Sequence, residues 1–205
     1  MFTNPVRPRT RAKLAAMAEP SVVSGGQSEA LEWELFDTQL YTSATTTELT
    51  FFSAAPANPF IGNIAGANGL PTPQYFEVYY FGLDVLRVPG NTDVLGDLFR
   101  IIKGAGGAAL QGIPTWSFVL ADKQMGPFPL AGLQSMGGIT GFSTRTAQEY
   151  GNVGNLSSTF CSDGAIVIPP TQSFRVVMRW PAALTLSANV QIVAQMRGVL
   201  HRRVL

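Results

Sequence analysis

A chain of 205 residues suits one domain, or one domain with an appendage, and only 13% of these residues are charged while 46% are apolar. Globular domains usually carry roughly 25% charged residues, so this surface needs either a coat of Thr, Ser, Asn and Gln or apolar patches that other subunits cover, and we favour the second. With a net charge of +1, one cysteine and one histidine, the composition excludes a disulfide framework, a Cys/His zinc site and a uniformly basic nucleic-acid binder.

The chain opens with four basic residues, Arg7, Arg9, Arg11 and Lys13, ahead of the first acid, Glu19. Pro5, Pro8 and Pro20 keep this stretch from folding alone. An extended basic arm is therefore predicted over residues 1–30, running through a Gly/Ser hinge, SGGQS (24–28), into a domain over 31–205. The string RTRAKLAAMAEP has the outline of a secretory signal, but its apolar part, LAAMA, is shorter than the roughly 7–15 residues such a signal needs.

From Leu31 the pattern has period two. LEWELFDTQLYT (31–42) sets Leu31, Trp33 and Leu35 against Glu32 and Glu34, as a strand with one buried face does, and TTTELTFFS (45–53) predicts a second strand. The Pro/Gly/Asn-rich stretch 55–74 fits no element and is expected to be a long, contact-forming loop. The strongest strand is YFEVYYFGLDVLRV (75–88). In TDVLGDLFRIIKGAGG (92–107), Val94, Leu95, Leu98, Ile101 and Ile102 recur at helical offsets. They predict one short helix at about 93–103, with Thr92 as N-cap and Gly104 as the stop.

Strand pattern returns in TWSFVLADK (115–123), and residues 124–142 are expected to form a second long apolar loop. STFCSDGAIVIPP (158–170) suggests a strand, a turn at Ser162–Gly164 and another short strand. QSFRVVMRWP (172–181) and ANVQIVAQMRGVLHRRV (188–204), with a bend at Gly198, complete the set. Seven or eight short strands and one minor helix, with no βαβ rhythm, predict an all-β fold: an antiparallel β-sandwich with the strand count of a single jelly roll. The longest uncharged windows, 49–76 and 124–144, are broken by prolines and glycines, so no membrane span is predicted and the chain is expected to be soluble.

Chemistry-bearing constellations are sparse. Cys161 has no histidine near it in sequence, His201 being the only one, so a small buried residue explains it better than a nucleophile. Asp93 and Asp97 suit the start of a helix better than a metal site. KGAGGAAL (103–110) follows a helix and lacks the Lys–Ser/Thr pair of a P-loop, so it reads as a flexible connector. A glycosidase pair drawn from Glu77, Asp84, Asp122 and Glu149 stays open, although burial explains the aromatics around Glu77 more simply. No catalytic, cofactor-binding or metal-ligating residue is assigned, and the chain is not expected to be an enzyme.

Charge is concentrated at the two ends. Half of the fourteen basic residues lie in positions 1–13 and 197–205, the latter with Arg197, Arg202, Arg203 and His201, whereas 19–196 carries a net charge of −6. Basic ends on an acidic body suit contact with phosphate or with the acidic flank of a neighbour. Arm, hinge SGGQS, low-charge β body and closing strand RGVLHRRVL together resemble the organisation of single jelly-roll coat or cement proteins of icosahedral viruses and bacteriophages. That resemblance implies a structural, self-assembling virion subunit put together in the host cytoplasm, whose partners are copies of itself and other virion proteins. It implies that Arg7, Arg9, Arg11, Lys13, Arg197, His201, Arg202 and Arg203 serve subunit or nucleic-acid contact. Four charges in the arm give only weak, sequence-blind attraction to a genome, so subunit tying is the stronger expectation. The reading carried beside it is a carbohydrate-binding β-sandwich module or a glycan-active enzyme.

Overall fold

The computed structural model describes residues 28–64, 69–86, 90, 92–104, 112–133, 139–145, 148–153 and 166–203. Among these residues ten strands follow one another: β1 (Ser28–Tyr41), β2 (Glu48–Phe51), β3 (Tyr75–Leu86), β4 (Thr115–Leu120), β5 (Lys123–Pro129), β6 (Ile139–Arg145), β7 (Gln148–Val153), β8 (Ile166–Ile168), β9 (Phe174–Arg179) and β10 (Val190–Arg203). Among the described residues one helix, α1 (Val94–Lys103), links β3 to β4. No helix among the described residues is long and apolar enough to cross a membrane.

Two four-stranded antiparallel sheets run in the orders β1-β10-β3-β8 and β2-β9-β4-β5. The pairing is nested. First sandwich strand pairs with last (β1 with β10), second with second-last (β2 with β9), then β3 with β8 and β4 with β5. A long two-stranded ribbon folded across itself gives this pattern, and the β10–β3 and β9–β4 pairings close each sheet. This is the eight-stranded jelly roll, with β6–β7 as an additional hairpin between β5 and β8.

Period-two alternation makes the core. Leu35, Phe76, Phe81, Ile192 and Met196 project from the first sheet, and Phe51, Trp116, Phe118, Val176 and Met178 from the second, all buried. Phe81 lies between Trp116 and Phe118 at centroid distances of 5.1 and 5.2 Å. At one end of the sandwich Trp180 donates its indole N–H to the Ile101 carbonyl at 2.9 Å, tying α1 to the strands. Gly104, at φ +87°, ends the helix as expected.

Several sequence expectations are corrected or refined. The helix N-cap is Asp93, whose carboxylate accepts from the Gly96 N–H, and not Thr92. Residues 124–142 are no simple loop, because β5, a 3-10 turn (Leu130–Gly132) and the start of β6 lie there. Pro127 and Pro129 are compatible with β5 because it is an edge strand, where a missing N–H costs the ladder little. Among the described residues β1 already runs from Ser28, three residues ahead of the predicted strand start at Leu31. Trp33 shares the inward parity of Leu35 yet is 43% exposed. It stands opposite Gly198, which offers it no side chain, and the second sheet's strands of four to seven residues do not cover the full length of the 14-residue β1 and β10. The predicted bend at Gly198 is a bulge, where β10 changes register against β3 between Arg197 and Gly198.

Candidate functional site

The β1–β10 ladder brings the predicted C-terminal contact residues against the start of the domain. Its register pairs Ser28 with Arg203, Glu29 with Arg202 and Glu34 with Arg197. The exit of the N-terminal segment and the C-terminal arginines therefore share one end of one sheet. Arg197 Nε lies 2.8 Å from Glu34 Oε2, and Arg202 pairs with Glu29. Arg203 is exposed at the end of β10. Arg7, Arg9, Arg11 and Lys13 lie outside the described residues, as do Cys161 and the predicted strand at 158–161.

His201 occupies a different setting. Its ring stacks on Tyr75 at 4.2 Å and 5°, and Nε2 lies 2.9 Å from Glu77 Oε1. Close as it is, this approach does not meet hydrogen-bond geometry, and Nε2 is a buried polar atom without a hydrogen bond among the described residues. Glu77, 5% exposed, also accepts from the Tyr79 hydroxyl at 2.6 Å. Burial, and then the Glu77 charge, push the Tyr75 phenol above its ordinary value. The bulge lies beside this arrangement: Tyr79 is the β3 residue that the register against β10 skips.

The middle of the first sheet's β1 edge is covered within the chain. Residues 61–63 run along β1: Thr38 N–H donates to the Ile61 carbonyl at 2.8 Å, and Asn63 bonds the Glu34 carbonyl through Nδ2 and the Phe36 N–H through Oδ1. The long loop 55–74 is thus partly structural, and its Ile64 and Leu70 are buried. Phe60, however, is 90% exposed. An Asx turn fixes its backbone, with Asn58 Oδ1 accepting the Phe60 N–H at 2.9 Å.

The carboxylates weighed as hydrolytic candidates are scattered. Asp84 binds its neighbour's N–H, Val85 N to Oδ1, at 2.8 Å. Asp122 is exposed in the β4–β5 turn, and Glu149 sits on β7. Asp97, fully buried, accepts from the Ser187 N–H and from its hydroxyl (2.6 Å to Oδ2) and pairs with Arg100 at 2.9 Å, so it anchors α1. Among the described residues no three His, Cys, Asp or Glu side chains converge to hold a metal. Comparison with protein-family models, characterised proteins and solved structures finds no match.

Sequence reasoning missed Glu29 and Glu34 as partners of the C-terminal arginines, and Phe60 as a displayed ring. The first signal was present in the sequence: acids at 29, 32 and 34 and bases at 197, 202 and 203 complement one another once the first and last strands pair.

Proposed function

We propose that the chain is a structural subunit of a viral or bacteriophage capsid that assembles through its N-terminal arm and its apolar loop surface. One observation carries this reading. The eight strands of the jelly roll are all supplied by residues 28–203, so none of the eight draws on the 27 residues ahead of them. A polar, proline-studded segment gains order at low cost by lying against a neighbour, which satisfies its backbone groups. Contacts of this kind are individually weak and add when repeated around a closed shell.

Jelly rolls also serve as lectins and cupins, and a fold alone selects none of these. The charge arrangement favours assembly over genome binding by the sandwich itself. Arg197 and Arg202 are matched by Glu34 and Glu29 of the same chain, which weakens sequence-blind attraction to a phosphate backbone at that end of the sandwich. The Tyr75 ring is covered on one face by His201 and so offers a sugar a poorer stacking platform than a bare aromatic does.

The test compares the full chain with a variant lacking residues 1–27, by light scattering and negative-stain electron microscopy. Full-length protein is expected to form closed particles or large oligomers. The truncated protein is expected to keep the same circular dichroism spectrum and to remain small. A full-length chain that stays a 22.0 kDa monomer at every concentration tried overturns the proposal.

A further inference from the structure

The outward face of the second sheet holds a polar well. Alternation along β9 turns Arg175, Val177 and Arg179 away from the core, and the facing positions on β4 are Val119, Ser117 and Thr115. The short side chains make a floor: Ser117, Val119 and Val177 are 3%, 7% and 6% exposed although they face away from the core. The longer Arg175, Arg179, Glu48 and Gln124 rise around them and bound a cavity of about 150 Å³. That is space for some five waters at ~30 Å³ each, or for one small polar group with part of its hydration.

Donors outnumber acceptors in this well. Glu48 Oε2 accepts from Arg179 Nε at 2.6 Å, which engages the one carboxylate of the lining, and the terminal nitrogens of Arg179 make no bond among the described residues. Arg175 makes no hydrogen bond or ion pair among the described residues. The Ser117 hydroxyl accepts from Gln124 Nε2 at 3.2 Å, so its own proton is left to donate. Two guanidinium groups, a hydroxyl with a proton to give and a largely buried floor make up the donor set that carboxylate and phosphate groups satisfy bidentately.

We propose that this well binds a single small oxyanion group, carboxylate or phosphate, with Arg175 as the principal charged donor and Ser117 as the donor at its base. The inference is independent of the assembly reading, since it needs neither the arm nor a second copy.

The full chain is titrated with inorganic phosphate, and separately with acetate, at ionic strength held constant with sodium chloride, while its melting temperature is followed. A saturating rise with a half-maximum on the order of millimolar is expected for at least one probe. Arg175→Gln is expected to weaken that response tenfold or abolish it, whereas Lys123→Gln, a basic residue of the same sheet outside the well, leaves it unchanged. Arg175→Lys keeps the charge but not the fork and is expected to weaken it several-fold; it also decides the matter should the glutamine variant fail to fold. A response that never saturates, or that is equal in wild type and the Arg175 variants, or that Lys123→Gln removes as fully, overturns the proposal.

Discussion

Three residues show how little freedom single positions have in this sandwich. A Cβ built on Gly198 would lie 1.7 Å from the Glu77 carbonyl oxygen, so Gly198→Ala must push β3 and β10 apart at the bulge. A loss of roughly 1–3 kcal/mol is expected, with altered packing of the Tyr75–His201 stack, and urea unfolding measures it. Tyr41 is buried, donates to the Thr46 carbonyl at 2.7 Å and accepts from the Leu184 N–H at 2.8 Å. Tyr41→Phe leaves both backbone groups unpaired and is expected to cost about 1–3 kcal/mol. Asp37 is buried beneath the Phe52 N–H, which it accepts at 2.5 Å. Burial lifts its carboxyl above the usual carboxylate range, and the bonds from Phe52, Gln39 and Thr38 pull it partly back. Because the native chain holds this proton more tightly than the unfolded chain, the Asp37 contribution to stability falls as pH rises from the unfolded carboxyl value, about 3.9, through the higher native one, and is level above that. Asp37→Asn abolishes this fall, so the stability of the variant relative to wild type should climb across the weakly acidic range and then flatten. A difference independent of pH would refute it.

At the scale of elements, α1 and its anchor are the sharpest case. The Asp97 carboxylate takes two donors from Ser187 and one from Arg100, and with Trp180 bonded to Ile101 it holds the helix to the β9–β10 connection. Asp97→Ala strands the Ser187 donors and is expected to cost about 2–3 kcal/mol, discounted for the half-exposed Arg100; circular dichroism should show helical signal lost ahead of the sheets. Much of this architecture was legible from period and punctuation. Leu35 against Glu34 marked β1, the aromatic run marked β3, and Gly104 marked the end of α1. What escaped had physical causes. β5 carries two prolines, and only its edge position, a property of the finished sheet, makes them harmless. Trp33 obeys the alternation but outruns the sheet meant to cover it. Asp93 displaced Thr92 as N-cap because its carboxylate reaches the Gly96 N–H, a choice that depends on where the helix starts. The ion pairs of Arg197 and Arg202 needed the pairing of first strand with last, which no local pattern reveals, and the oxyanion well needed four strands side by side.

On the scale of the whole molecule, nested pairing has a consequence for assembly. Because β1 pairs with β10 from Ser28–Arg203 to Tyr41–Val190, one end of that sheet carries the arm's exit and the C-terminal arginines, and the other carries the exposed Leu40 and Leu86 on either side of Gln191. Phe60 belongs to the segment that runs antiparallel to β1 and approaches the same end, since Gly62 bridges Asp37. Charged and exposed apolar residues are thus segregated along one sheet, an arrangement that the proposed assembly would use by meeting different neighbours at its two ends. Phe60 separates the two contributions. Its ring is 90% exposed and its backbone is fixed by Asn58 and by the hydrogen bonds of Ile61 and Asn63 to β1, so it adds little to the fold and little order is lost when a partner covers it. Phe60→Ser should leave the unfolding midpoint within the reach of an ordinary surface change, ~0.5 kcal/mol. If the ring packs against a neighbour, the same change raises the concentration at which particles form by tenfold or more, as loss of a buried aromatic anchor does. Light scattering against protein concentration reads that threshold. An unshifted threshold removes Phe60 from the assembly surface while leaving the role of the arm to the truncation experiment.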